Sequence, residues 1–161
     1  MTQYTGRRTD EELEQSIILL QPHEVLSTID HDLRGAAAVD AWIYSTEPLF
    51  FSTVFGPALT SCPIRVICDW KHRSPWIDLQ RKYPLLSPRT WSTNRTMHDK
   101  TILLHGHHVT YLITANMHRG SFTLSRNRYA RVITADFHQR LTEQFELDWL
   151  HSNPLPIRQT T

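Results

Sequence analysis

Two short apolar runs, with a helix-compatible segment between them, constrain the fold of this chain most strongly. Residues 40–46 (DAWIYST) alternate and are rich in aromatic and β-branched side chains, which is typical of a strand. Residues 63–70 (PIRVICDW) have the compact apolar character of a buried strand. Residues 48–62 are ambiguous between strand and helix, but a connecting helix fits best. Because a helical crossover joins parallel strands, the pattern predicts an α/β fold.

Helical patterns precede this unit. Residues 9–20 open with a capping-box pair, Thr9 and Glu12, and predict a short N-terminal helix. Residues 23–39 carry apolar side chains at intervals of three and four, which predicts an amphipathic helix.

Further strands and a closing helix follow. Residues 100–116 predict two strands joined by the HGHH turn, in which Gly106 can take a positive φ. Residues 128–135 predict another strand. Residues 136–152 predict an amphipathic helix that is capped by Asp136 and has an apolar core-facing stripe four residues apart. The fold class is therefore α/β, a mixed β-sheet flanked by helices.

The length allows one domain with a single core. We divide the 161 residues into an N-terminal arm with its short helix (1–22), one domain (23–153) and a flexible tail (154–161). The N-terminus is polar and acidic where a signal peptide needs an apolar stretch, and no run approaches the ~18 apolar residues of a membrane span. We expect a soluble, cytoplasmic protein with no membrane partner.

Charge and cysteine content exclude little. Seventeen Lys and Arg against sixteen Asp and Glu give a net charge of +1, so any basic surface must be local. Cys62 and Cys68 fit free thiols in the core. His105, His107 and His108 lie in or beside the HGHH turn, but no clustered carboxylate or thiolate completes a zinc site, so we predict no metal.

The most basic stretch, residues 71–95, is polar and irregular, with tryptophans at 70, 76 and 91 among its Lys and Arg residues. Tryptophans can stack on unpaired bases while cations contact phosphates, although they could equally cover the core or a dimer interface. With DNA or RNA as the expected partner, we assign nucleic-acid contacts to Lys71, Arg73, Trp91, Arg95 and Arg119.

His98, Lys100 and Asn116 combine with the order of elements into a wider pattern. HDK at 98–100 runs into the apolar TILL, and TAN at 114–116 is followed by MHRGSF. These residues resemble one half of the phospholipase D superfamily, with its H-x-K, four residues, D, six residues, G-S-x-N pattern. The resemblance covers roughly residues 35–150 and implies the fold of that superfamily.

The resemblance also implies a chemistry. A metal-independent nuclease or phosphodiesterase would use His98 as nucleophile and general acid through a phosphohistidine, without cofactor, and Lys100 and Asn116 as phosphate clamps. Residues two apart on a strand share a face, so His98 and Lys100 would reach one phosphate. Because the chain carries one such motif, the resemblance implies a homodimer with a shared site.

The motif departs from the family pattern at several positions. Thr114 keeps a hydroxyl where the family has Ser, after Ile113 in place of Gly, and it joins the catalytic assignment. His105 stands where the Asp belongs, and the orienting carboxylate falls near Asn127 or Arg128; we assign Asn127 and His105 as orienting residues.

These departures leave a second hypothesis open, a catalytically inactive nucleic-acid-binding or assembly module of the same fold. A lipid phosphodiesterase is a third hypothesis, which the lack of an apolar surface helix disfavours.

Overall fold

The chain forms one mixed sheet with helices on both faces. A computed structural model describes residues 16–91, 96–123 and 126–155. The strands are β1 (Ile17–Leu20), β2 (Ala38–Ile43), β3 (Ile64–Cys68), β4 (Leu86–Thr90), β5 (Lys100–His105), β6 (Val109–Ile113), β7 (Tyr129–Ile133) and β8 (Asn153–Pro154). Their order across the sheet is β1-β7-β6-β5-β2-β3-β4-β8.

The middle of the sheet is parallel and its flanks are antiparallel. Strands β2, β3 and β4 run parallel, which confirms the strand–helix–strand prediction, and β5 pairs antiparallel with β2. In that register Ile43 lies opposite Lys100 and Ala38 lies opposite His105. Strands β2 and β3 finish, and β5 begins, at one end of the sheet, which we call the site end. The β5–β6 turn lies at the opposite end, which we call the turn end.

Helices cover the two faces unequally. They are α1 (Pro22–Leu33), α2 (Pro48–Val54), α3 (Gly56–Leu59), α4 (Ser74–Lys82), α5 (Arg119–Thr123) and α6 (Ala135–His151). The larger core cluster joins one sheet face to side chains of α1 to α5, and a smaller cluster on the other face forms around Phe145 of α6. The result is a three-layer arrangement, with the sheet buried between the helices.

Helix α1 shows how local sequence sets an element. Pro22 occupies the first turn, where its missing N–H costs nothing, and the Gln21 backbone N–H donates to the Glu24 carboxylate at 3.1 Å. Val25, Ile29 and Leu33 are fully buried along one face. The predicted amphipathic helix is confirmed, and its apolar stripe anchors α1 to the sheet.

The two ends of the described chain differ from the prediction. Ile17–Leu20 form strand β1, antiparallel to β7, so the predicted helix is wrong there; residues 9–15 lie outside the described residues. Near the C-terminus, Asn153–Pro154 pair with β4 and Leu155 is buried, so the start of the expected tail is part of the domain. Backbone pairing with a distant strand supplies the order that local pattern does not show.

The stretch 71–95 is more regular than its sequence suggests. It contains helix α4 and strand β4, where an irregular segment was predicted, and residues 92–95 are outside the described part. Trp76 is fully buried and stacks edge-on against Phe51, which places it in the core rather than on a nucleic-acid surface. Cys62 and Cys68 are buried free thiols, as predicted.

The HGHH turn and the closing helix are confirmed, with one change of cap. Gly106 has φ +103°, a left-handed conformation that favours glycine, and it allows β5 to return directly as β6. Helix α6 begins at Ala135 after Thr134, so Asp136 lies in its first turn instead of capping it. There its carboxylate still favours the positive end of the helix dipole.

Candidate active site

The site end gathers aromatic and basic side chains around Tyr44, which follows the last residue of β2. The His98 ring stacks on Tyr44 with centroids 4.4 Å apart and planes at 25°. The His72 ring meets Tyr44 edge-on at 4.6 Å, and Lys100 Nζ lies 5.4 Å from the centre of the same ring. One phenol ring therefore brings together two imidazoles and an ammonium.

His98 and Lys100 share one side of the sheet, as their spacing predicts. His98 is exposed just before β5, and the Lys100 ammonium donates to its carbonyl oxygen at 2.9 Å. Asp99 turns to the opposite face, where it lines a groove of about 330 Å³ with Thr101 and Asp148. Partial burial lowers the pKa of Lys100, with Asp99 opposing the shift. The ammonium is thus less solvated than a surface lysine and well suited to an anion.

Asp69 fixes the segments that carry these side chains. Its carboxylate is 2% exposed and accepts from the backbone N–H of Lys71 at 2.9 Å and of Met97 at 3.0 Å. The first bond shapes the turn that bears His72, and the second ties the residue before His98 to the end of β3. A buried carboxylate at a strand end therefore organises the site.

The loop after β6 contributes the third predicted group. Asn116 lies in this loop, and its Oδ1 atom is buried without a hydrogen-bond partner among the described residues. The loop is held against β2 because the Met117 N–H donates to the Ser45 carbonyl at 3.1 Å. Ser45 Oγ and His118 Nε2 lie 3.0 Å apart and form a second link. Burial of a carbonyl oxygen without a hydrogen bond is costly, which makes Asn116 a candidate ligand-binding group.

Thr114 and Asn127 form a pair of their own. Thr114 Oγ1 donates to Asn127 Oδ1 at 3.0 Å and accepts from the Arg128 N–H at 2.9 Å, while the Asn127 amide donates to the Ser121 carbonyl. These bonds fix the start of β7 and do not join Asn127 to His98. Ile113 is 9% exposed and lines a small cavity with Ile43 and Lys100, so its side chain is directed into the core.

His105 lies at the turn end, at the far end of β5 from Lys100. Its Nε2 atom is 2.7 Å from Asp40 Oδ2 and its Nδ1 atom is 3.0 Å from His138 Nε2. Asp40 also accepts two hydrogen bonds from Arg65. The structure does not bring His105 to His98, because β5 alone separates Lys100 from His105 by five strand positions, about 16 Å, and His98 lies beyond Lys100. His105 therefore contacts Asp40 and His138, and it does not orient His98 as the sequence predicted.

The residues assigned to nucleic acid fall into different surroundings. Arg73 lies over the exposed Trp70 ring at 3.6 Å, and Lys71 is exposed on the same turn beside the site. Arg119 is exposed at the start of α5, directly after His118. Trp91 packs against the smaller core cluster on the α6 face, away from Tyr44. Arg95 lies outside the described residues.

Sequence reasoning did not select Tyr44, His72, Ser45 or His118. A signal for Tyr44 and Ser45 exists, because they directly follow a buried strand, and side chains at the carboxyl ends of parallel strands meet at one edge of an α/β sheet. His72 and His118 have no such signal, since a turn and a loop place them. Across the described ranges, no three His, Cys, Asp or Glu side chains are grouped to hold a metal ion.

Comparison with known proteins identifies the architecture. No family model and no curated protein matches the sequence. Among solved structures, NucT from Helicobacter pylori matches with a TM-score of 0.74 and 13% identity, over 86% of this chain and 98% of that one. Nuc from Salmonella typhimurium, a phospholipase D family member, matches with a TM-score of 0.70 and 13% identity, over 87% and 97%.

The chain has the phospholipase D-like fold. The fold implied by the HDK and TAN motifs is thus confirmed, and both matches span nearly the whole of the other chain. A third match is TrmBL2, an archaeal chromatin protein with a novel mode of DNA binding, with a TM-score of 0.60 and 8% identity over 90% of this chain and 60% of that one. In the described part of the chain, no helix is long and apolar enough to cross a membrane.

Proposed function

We propose that this protein is a metal-independent phosphodiesterase that cleaves DNA or RNA through a phosphohistidine at His98. The observation that carries the proposal is the grouping of the exposed His98 ring and the Lys100 ammonium on one face, against Tyr44. The phospholipase D-like fold supports the same assignment.

The proposed reaction proceeds in two displacements. An imidazole nitrogen of His98 attacks phosphorus, the P–N bond forms, and the bond from phosphorus to one ester oxygen breaks. The imidazole of a second copy protonates that oxygen, which leaves as an alcohol. Water, deprotonated by the second imidazole, then attacks phosphorus and breaks the P–N bond, which releases a phosphomonoester and the free His98 ring.

Lys100 and Asn116 would stabilise the charge that develops on phosphorus. The Lys100 ammonium would hold a non-bridging oxygen from the same side as His98. The Asn116 amide would turn its N–H₂ group towards another oxygen; its Oδ1 atom is buried and has no partner among the described residues. Thr114 would support this loop through the start of β7.

The reaction requires a homodimer, because one chain supplies one motif. We place the shared phosphate at the site end, between the two copies of His98. Basic side chains on the surrounding surface, including Lys71, Arg73 and Arg119, would contact the flanking phosphates. These contacts are sequence-independent and sensitive to salt.

Cleavage of single- and double-stranded DNA and RNA in excess EDTA tests the proposal, with His98→Asn as the variant and His105→Asn as the matched control on β5. We expect the wild type and His105→Asn to cut, and His98→Asn to be inactive. Subunit exchange sharpens the test: with both imidazoles required, a one-to-one mixture of wild type and His98→Asn retains about a quarter of the activity instead of half. Unchanged cleavage by His98→Asn would reject the proposal.

A second candidate function is a catalytically inactive nucleic-acid-binding module of the same fold. The similarity to TrmBL2 favours it, together with the replacement of the orienting carboxylate by Asn127. This candidate predicts salt-sensitive binding that His98→Asn leaves unchanged, with no cleavage by the wild type under any condition. Binding measured beside cleavage therefore separates the two functions.

A further inference from the structure

The ring of His98 is held by stacking rather than by a carboxylate. We infer that Tyr44 is the positioning residue for the nucleophile: its phenol face fixes the plane of the His98 imidazole, and this inference rests on the proposed function. The stack has a centroid distance of 4.4 Å and an interplanar angle of 25°. This is close to the offset-parallel geometry that aromatic rings prefer.

His98 needs such a support because of where it lies. It precedes β5 and is exposed, so neither a strand partner nor core packing restricts its ring. Within the described ranges, no side-chain hydrogen bond reaches its imidazole, whereas the His105 ring has one on each nitrogen. Asn127, to which the resemblance assigns the orienting position, is engaged by Thr114 and Ser121. Among the described residues, the ring contact of His98 is with Tyr44.

Tyr44 is itself firmly placed. It follows β2 directly, and its neighbour Ser45 is buried and tied to Met117 and His118. The His72 ring also packs edge-on against the phenol ring of Tyr44, with ring centroids 4.6 Å apart and planes at 68°. His72 belongs to the turn that the buried Asp69 carboxylate fixes. The stack therefore extends from two strand ends to the nucleophile, through rings whose backbones are anchored.

A stacked support has a chemical advantage over a hydrogen bond. The phenol face holds the imidazole plane and leaves both ring nitrogens open, one to attack phosphorus and one to exchange a proton with solvent or substrate. The electron-rich face also attracts the ring when it carries positive charge.

Two substitutions at Tyr44 separate the ring face from the hydroxyl. Tyr44→Phe keeps the face, and we expect kcat within about twofold of wild type. Tyr44→Leu keeps an apolar side chain and removes the ring face. We expect kcat to fall by about 10- to 100-fold with KM little changed, because an enzyme with a misplaced nucleophile still binds substrate. Tyr83→Leu is the matched control, since Tyr83 is a half-buried tyrosine at the end of α4, on the turn-end side.

Histidine-ring NMR gives a readout that does not depend on turnover. Signals of His98 are assigned by their loss in His98→Asn, and the stack predicts ring-current shifts of the His98 carbon-bound protons. These shifts should persist in Tyr44→Phe and in Tyr83→Leu and disappear in Tyr44→Leu. A wild type that does not cleave would defeat the proposed function, whereas the NMR comparison still decides the stack.

Two results would overturn the inference. One is a Tyr44→Leu protein that is folded and retains wild-type kcat. The other is a set of His98 ring shifts that is the same in wild type and Tyr44→Leu, because a ring held by another group would not respond to loss of the phenol. Loss of kcat in Tyr44→Leu that Tyr44→Phe restores, with the matching change in His98 shifts, supports it.

Discussion

The polar groups at the two ends of the sheet differ in how completely they are hydrogen-bonded. At the turn end, Asp40 binds both His105 and Arg65, and His105 in turn contacts His138. At the site end, the His98 ring rests on Tyr44, and Asn116 leaves a buried oxygen without a partner among the described residues. His98 and His105 lie near opposite ends of β5. Both ring nitrogens of His105 have hydrogen-bond partners, whereas no side-chain hydrogen bond reaches the His98 ring within the described ranges.

The difference shows how partner saturation separates structural from reactive groups. A fully paired network stabilises the domain and has no hydrogen-bonding capacity left for a ligand. Incompletely paired groups lower the stability of the free protein and are available to bind substrate. The turn end should therefore respond to mutation through stability, and the site end through binding and turnover. The following predictions test this division, from the largest expected effect to the smallest.

Loss of the Asp32 carboxylate should have the largest effect on stability. Asp32 is 6% exposed and accepts two hydrogen bonds from Arg131, at 2.6 and 2.9 Å, and another from Tyr111. Asp32→Ala leaves a mostly buried guanidinium unpaired, and we expect the free energy of unfolding to fall by about 3 kcal/mol.

Urea denaturation measures this loss, with Asp30→Ala as the control. Asp30 pairs with Arg34 on the exposed side of the same helix, and such a pair contributes about 0.5 kcal/mol. If the two variants lose the same stability, the turn end is not held by its buried pairs.

The network of Asp32, Tyr111 and Arg131 also illustrates what the sequence could and could not predict. Amphipathic spacing located α1, and the alternation around Gly106 located β5 and β6, because these signals are local. Nothing local links Asp32 to Tyr111 and Arg131, since three separate elements bring them together only after folding. Strand β1 has the same difficulty: its four apolar residues have no clear period, and its order comes from β7.

Residues 71–95 contain prolines in positions that hide their regular structure from local pattern. Pro88 lies within β4, although proline usually argues against a strand. Pro75 lies in the first turn of α4, whose N-cap residue Arg73 makes no side-chain capping bond. At the site, the spacing of His98 and Lys100 predicted that they share a face, because strand geometry is regular. The stack on Tyr44 depends on how two distant strand ends meet, and no spacing in the sequence encodes it.

Acid should weaken the turn end through His138. Burial, together with the neighbouring His105 and His108, lowers the pKa of His138 to about 4. An unfolded histidine titrates near 6.5, so between pH 6.5 and about 4 the unfolded chain binds a proton that the folded chain does not. Stability from this group is complete above pH 6.5, and we expect about 2 to 3 kcal/mol to be lost as the pH falls to about 4.

Unfolding free energies between pH 7.5 and 4 measure this slope. His138→Gln should flatten it, whereas His151→Gln, at an exposed position on the same helix, should not. The carboxylates act in a different window: burial alone would raise the pKa of Asp40, but hydrogen bonds from His105 and Arg65 keep it below its usual value. Their contribution is lost only below pH 3.8. An unchanged slope in His138→Gln would assign the acid sensitivity elsewhere.

Removal of the Tyr111 hydroxyl should have a moderate effect. Tyr111 is fully buried and donates to Asp32, which keeps its two bonds from Arg131. We expect Tyr111→Phe to lower the unfolding free energy by about 1.5 kcal/mol, the magnitude of a hydrogen bond to a charged acceptor. Thermal unfolding compared with Tyr83→Phe measures it. A neutral Tyr111→Phe would mean that the guanidinium alone satisfies the carboxylate.

Lys71→Ala should leave stability unchanged and alter only nucleic-acid binding. The Lys71 side chain is exposed beside the site, and its contribution to the fold is a backbone N–H. Removal of one phosphate contact should reduce the slope of log K against log salt by about 1 and weaken affinity severalfold. Lys82→Ala, at the end of α4, is the control. Equal effects of the two variants would show that binding is not focused at the site end.

Mass spectrometry of the enzyme quenched during turnover tests the central claim most directly. We expect a phosphoryl-linked, acid-labile adduct on the peptide that contains His98, absent from the peptide that contains His105 and lost in His98→Asn. Substrate cleavage with the adduct on another residue, or cleavage that continues in His98→Asn, would contradict the account.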